Sequence, residues 1–69
     1  MFNEMILKGM TAVKAHNILI RNGYTLNFVK EIGHNRARVG YSFTAAGVTL
    51  REFEMLIVGK VVFAVSKGD

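Results

Sequence analysis

Residues 24–43 have the sequence YTLNFVKEIGHNRARVGYSF, and this stretch determines the predicted fold because its apolar and polar residues alternate. Alternation with a period of two is typical of a strand that buries one face. The two alternating runs are separated by Gly33-His34-Asn35, and both glycine and asparagine tolerate the positive φ that tight turns need. The stretch therefore predicts a β-hairpin.

The same alternation predicts which side chains share a face of the hairpin. Arg36 and Arg38 fall on the polar face, together with Val29 and Glu31. Lys30 falls on the apolar face. The aromatic rings that fall on the apolar face are Tyr24, Phe28, Tyr41 and Phe43. The register that brings apolar residues opposite one another pairs Ile32 with Ala37, Glu31 with Arg38, Phe28 with Tyr41, Asn27 with Ser42 and Leu26 with Phe43.

The length and composition bound the rest of the prediction. The 69 residues make a single domain, 1–69, and a chain this short buries only about 60% of its unfolded surface. No cysteine is present, so neither a disulfide nor a thiolate metal site adds stability. Because 51% of the residues are hydrophobic, we expect some apolar surface to be buried against a partner or in a homodimer.

No membrane association is expected. The most apolar run, 55–65, is interrupted by Gly59-Lys60 and is shorter than the roughly 20 residues that a transmembrane helix needs. Glu4 stands where a signal peptide would carry a base. With no cysteine, the sequence fits a cytoplasmic protein.

The positive charge is concentrated in the first half of the chain. Residues 8–38 hold six bases and one acid, whereas bases and acids balance in 39–69. Such asymmetry indicates an anionic partner, either an acidic protein surface or a nucleic-acid backbone, although ordinary solvated charge is the alternative. The predicted partner-binding residues are Arg36, Arg38, Lys14, Arg21, Lys30 and His34.

An amphipathic helix is predicted over residues 11–22, with Thr11 as its N-cap and Asn22-Gly23 as its stop. Lys14 and Arg21 lie on its polar stripe. The apolar side carries Ala12, Val13, Ala15, Leu19 and Ile20, with Ile18 at the border. His16 also falls there, which favours a core or interface histidine with one hydrogen bond over a metal ligand.

The second half permits two interpretations. Thr49 and Glu52 have the spacing of a capping box, so we predict a helix over 49–58. The alternative is a second hairpin that turns at Gly59-Lys60. Residues 61–66 form a strand in both, and 5–7 form a short strand or the start of an extended segment.

The predicted fold class is α+β, a small two-layer sandwich in the ferredoxin-like order (β)αββαβ, with an antiparallel sheet and both helices on one face. The alternative is one helix packed on a four-stranded antiparallel meander.

Catalytic and metal chemistry have little basis in the sequence. The two histidines, His16 and His34, match no metal-ligand spacing without cysteine. Glu52 and Glu54 do not face one another on the predicted helix, as paired acid–base catalysis would need. The glycines stand singly and form no phosphate-binding loop. We therefore expect a non-enzymatic protein without cofactor or metal.

Residues 19–24, the strand after them and Gly33-His34 resemble the HicA toxin family, small dsRBD-like proteins that cleave mRNA with a histidine near a glycine. The resemblance covers about the first forty residues and implies a catalytic role for His34. The serine of the family's Gly-Ser-His is missing, and the second half of the chain does not follow the family. Without the resemblance, His34 is interpreted as a solvated turn residue.

Two features of the composition are unusual, the high hydrophobic content and the positive charge of the first half of the chain. The hydrophobic content is the stronger of the two, so protein binding is the first functional prediction. In size and composition the chain also resembles accessory proteins with which phages block a host enzyme. We predict an inhibitor or regulator that occludes a partner surface, steered by its basic residues. The alternative is sequence-tolerant nucleic-acid backbone binding without base stacking, because all the rings of the hairpin fall on its apolar face.

Overall fold

The computed structural model describes residues 3–67. Its elements are a 3-10 helix, Glu4–Leu7, followed by α1, Ala12–Arg21, β1, Thr25–Gly33, β2, Arg36–Ala45, β3, Val48–Val58, and β4, Val61–Lys67. The strands form one antiparallel sheet in the order β1-β2-β3-β4, with α1 on one face. The α+β prediction is thus confirmed, but the order (β)αββαβ is not.

The predicted second helix, 49–58, is wrong, because these residues belong to β3. Phe53, Met55 and Ile57 are buried against the core, and their spacing of two residues suits a strand. Both turns that bound β3, Ala46-Gly47 and Gly59-Lys60, have two residues with positive φ, as tight two-residue hairpins require. Burial of alternate side chains and pairing with two neighbouring strands therefore override the helical propensity of this segment.

The helix prediction for residues 11–22 is confirmed by α1. Thr11 has extended backbone, and its Oγ1 accepts a hydrogen bond of 3.2 Å from the backbone N–H of Lys14, as expected of an N-cap. Ala15 and Leu19 are fully buried. Val13, which the pattern places on the apolar side of the helix, is 72% exposed.

The path of α1 across the sheet is diagonal. Its first residue, Ala12, donates its N–H to the carbonyl of Lys60, in the turn before β4. Its last turn leads directly into β1 through a hydrogen bond from the N–H of Tyr24 to the carbonyl of Leu19. Thr11 and Thr25 thus lie at opposite ends of the sheet, on opposite edges. None of the helices in residues 3–67 is long and apolar enough to cross a membrane.

A diagonal helix leaves two corners of the sheet uncovered, and the 3-10 helix fills one of them. Residues 5–7, predicted as a short strand or the start of an extended segment, are instead part of this helix, which buries Leu7 completely and packs on β4. The chain that follows it pairs with the first residues of β4, since Gly9 and Met10 exchange backbone hydrogen bonds with Val62. The edge of β4 is therefore covered at its beginning.

A buried ion pair fixes the filled corner. Glu4 is only 4% exposed, and its carboxylate accepts two hydrogen bonds from Arg51 on β3 and one of 2.9 Å from the hydroxyl of Tyr24. Burial would raise the pKa of the Glu4 carboxyl, but these hydrogen bonds outweigh it and hold the pKa below its usual value. Burial and the hydrogen bond to Glu4 raise the pKa of Tyr24 to about 12.

Candidate functional site

The register of β1 against β2 differs from the predicted one because β1 contains two β-bulges. Register shifts occur at Asn27 and at Ile32, and between them Phe28 pairs with Gly40 and Lys30 with Arg38. Each bulge adds one residue to β1 and therefore reverses the faces of the residues that follow. Residues 28–31 thus lie on the faces opposite to those predicted.

The outer face of the sheet, which we define as the face opposite α1, gathers three of the predicted partner-binding residues. Arg36 and Arg38 share this face, as predicted, because Ala37 and Val39 between them pack toward the core. Lys30 joins them, since its partner in the register is Arg38. The prediction that placed Lys30 on the apolar face is wrong, and the reason is the bulge at Asn27.

Phe28 also lies on the outer face, contrary to prediction. Its ring lies across Gly40, so close that a Cβ at position 40 would overlap it, and the side chain is 40% exposed. The other three rings lie on the core side, as predicted: Tyr24 and Tyr41 are buried and Phe43 is partly buried. The adjacent apolar pair Phe28-Val29 breaks the alternation, and a glycine within a strand often marks a close approach. Both signals in the sequence indicate this arrangement.

The outer face carries acids as well as bases. The Nε of Arg38 lies 3.5 Å from Oε1 of Glu54 on β3, and Glu52 is the partner of Ser42 in the register. Glu31, predicted to pair with Arg38, instead lies opposite Ala37 on the side of α1. Within residues 3–67, the outer face of β1, β2 and β3 therefore presents three bases and two acids around an exposed ring.

The two helical bases belong to a different surface. Lys14 and Arg21 are exposed on α1, which packs on the other side of the sheet. The predicted basic set is therefore divided between the two layers of the molecule, and a single flat partner does not contact all of it.

A groove of about 880 Å³ occupies the second corner, which no described residue covers. We call it the open corner, and its lining includes Val13, Glu31, His34, Arg36, Ala37 and Lys60. The β1–β2 and β3–β4 turns meet at this end of the sheet, where the N–H of Gly59 donates to the carbonyl of Asn35. Most of its lining is apolar, and among the described residues that line it Arg36, Lys60 and His34 accompany one acid, Glu31. The sequence did not predict this groove, because it depends on the direction of α1.

The two histidines have different environments. His16 Nδ1 lies 2.7 Å from the hydroxyl of Tyr41, which agrees with the predicted core or interface histidine with one hydrogen bond. Burial raises the pKa of Tyr41. His34 lies in the exposed β1–β2 turn, and its ring makes no hydrogen bond to any residue within 3–67. In that same range, no three acidic or histidine side chains are grouped as a metal ion would need.

No protein-family model matches the chain, and neither a curated protein nor a solved structure is similar enough to count as a match. The resemblance to the HicA family receives no support from these comparisons. The function is therefore inferred from the outer face and the open corner.

Proposed function

We propose that this protein is a non-enzymatic binding module whose outer face occludes the surface of a protein partner. The observation that carries the proposal is the clustering of Lys30, Arg36 and Arg38 beside the exposed ring of Phe28. Arginine and aromatic side chains are the residues that most often dominate the affinity of protein interfaces. The net charge of +4 would speed association with an acidic partner.

The mixture of charges on the outer face favours a protein over a nucleic acid. A phosphate backbone is uniformly negative, so Glu52 and Glu54 would oppose it. A base that is already close to an acid, as Arg38 is to Glu54, has less charge to offer a phosphate. A protein surface can present both signs and match all five groups.

Nucleic-acid binding is the second candidate, and one observation favours it. Phe28 is exposed on the same face as Lys30 and Arg38, and a ring beside bases can stack on an unpaired base while the bases contact phosphates. Such binding would weaken steeply with salt. The logarithm of the binding constant falls with the logarithm of the salt concentration, with a slope of about −0.7 for each phosphate contacted on a single strand.

The deciding experiment is capture of partners from a lysate of the source cell, with and without nuclease. The test variant combines Lys30→Glu with Arg38→Glu on the outer face, and its matched control combines Lys14→Glu with Arg21→Glu on α1. Both change the net charge equally. We expect the outer-face variant to lose a protein that the control still captures, in both lysates.

Equal loss in both variants would contradict the proposal, since it would indicate attraction by net charge alone. Loss of capture after nuclease treatment would favour the second candidate, and a gel shift with single-stranded DNA and RNA across a salt series would test that reading directly. Sedimentation of the purified chain at micromolar concentration would show whether a second copy covers the outer face.

A further inference from the structure

We infer that the open corner binds a short amphipathic helix with acidic residues, contributed by the protein partner. This inference rests on the proposed protein-binding function and names the partner element that completes it. The outer face and the open corner meet at the β1–β2 turn, where Arg36 lines the groove at the start of β2. One partner can therefore contact both surfaces.

The dimensions of the open corner suit one short helix. The part of β1 that lines the groove runs from Glu31 to Gly33, which is about 7 Å at roughly 3.3 Å per residue. Between one and two turns of a helix, at roughly 5.4 Å per turn, fit along it. Val13 lines the groove from α1 and is 72% exposed. A helix of the partner placed here would cover this apolar side chain.

The edge of β1 argues against an added strand in the same place. Its two bulges, at Asn27 and Ile32, interrupt the regular spacing of backbone groups that strand addition requires. Lys30 and Glu31 lie between the bulges, and charged residues on an edge strand oppose pairing with another strand. A helix satisfies its own backbone and needs only the side chains of the groove.

The charges of the rim specify the sign of the occupant. Among the described residues that line the groove, the bases Arg36 and Lys60 outnumber the acids, of which there is one, Glu31, although the side chain of Arg36 belongs to the outer face. The first turn of α1 also lines the groove, and the N-terminal end of a helix carries a partial positive charge. Glutamates on the flanks of the bound helix would match this rim, whereas lysines would oppose it.

The inference can be tested with a labelled synthetic peptide of fifteen residues, with leucines on one face of the helix and glutamates on the other. Fluorescence anisotropy measures its binding to the full chain. Val13→Glu puts a charge into the groove and should weaken binding at least tenfold. Val48→Glu is the matched control, because Val48 is another well-exposed valine, at the opposite end of the sheet. The control should bind like the wild type.

Two further peptides test the helix itself. A scrambled peptide of the same composition, and an alternating peptide that forms strands, should bind at least tenfold more weakly than the amphipathic one. Equal binding of all three peptides, or equal weakening by Val48→Glu, would overturn the inference. The cellular partner provides a further test. The inference would be overturned if the Val13→Glu variant captured the partner fully while the variant with Lys30→Glu and Arg38→Glu captured none. In that case the proposed function of the outer face would still stand.

Discussion

Substitution of Glu4 by glutamine tests how the filled corner contributes to stability. Glutamine keeps the shape of the side chain and one acceptor oxygen but removes the charge. In the wild type, the carboxylate accepts hydrogen bonds from the Nε and an Nη of Arg51, the latter 2.8 Å long, and from the hydroxyl of Tyr24. The 3-10 helix, β3 and the residue before β1 are joined at this point.

The expected loss is about 2 kcal/mol of unfolding free energy. Each hydrogen bond to a charged group contributes about 1.5–3 kcal/mol, so loss of all three would cost more. Two effects reduce the loss, because glutamine retains one acceptor and the Arg51 side chain, 27% exposed, can be hydrated. For a domain of this size, 2 kcal/mol corresponds to a fall in Tm of roughly 8–16 °C.

The loss should depend on pH in a defined direction. The pKa of Glu4 is lower in the folded protein than its ordinary value of 4.5, so the stabilisation is complete above that value. It disappears as the pH falls through the lower, folded pKa and the carboxylate is protonated in both states. The difference between wild type and Glu4→Gln should therefore be largest near neutral pH and shrink in acid.

Urea denaturation followed by circular dichroism at several pH values measures these quantities. Glu31→Gln is the matched control, since Glu31 is exposed and makes no ion pair with the described residues. A Glu4→Gln variant within about 0.5 kcal/mol of the control, the usual range for surface substitutions, would refute a stabilising role for the ion pair. A difference that grows on acidification would refute the assigned direction of the pKa shift.

Three further predictions concern stability. Gly40→Ala should cost about 1–3 kcal/mol in urea denaturation, because the new methyl group displaces the ring of Phe28; an unchanged midpoint would mean that the ring does not hold this position. Thr11→Ala should cost about 1 kcal/mol through loss of the N-cap, and Thr11→Ser, which keeps the hydroxyl, should recover most of it. In alkaline solution, absorbance should show Tyr24 ionising near pH 12, and stability should fall as the pH rises from 10 toward 12, because the unfolded chain releases that proton first; a tyrosine titration complete by pH 10.5 would contradict this.

Local signals were sufficient to locate α1 and the β1–β2 hairpin. The N-cap at Thr11 and the stop at Asn22-Gly23 define α1, and alternation defines the hairpin. In β2 no bulge interrupts residues 36–43, so Arg36 and Arg38 share a face as their spacing predicts. These features depend on residues close together in the chain.

The errors have a common cause in contacts between distant residues. The segment after Thr49 has a capping-box pattern and helix formers. It is nevertheless a strand, because it pairs with β2 on one side and with β4 on the other. The faces of Phe28 and Lys30 depend on the bulge at Asn27, whose Oδ1 accepts a hydrogen bond from Ser42 on β2. The open corner depends on the direction in which α1 crosses the sheet. None of these is determined by a short window of sequence alone, although the adjacent apolar pair Phe28-Val29 is a local signal of the reversed faces.

The bulge at Asn27 lets β1 tolerate a change in chain length at a single point. Asn27 is the residue that the register passes over, so its removal would leave Leu26 opposite Tyr41 and Phe28 opposite Gly40 in an uninterrupted ladder. Lys30 and Glu31 would keep the sides on which they project. A single-codon deletion here should therefore preserve the charge of both surfaces, and the residue at this position is expendable for the register that follows it.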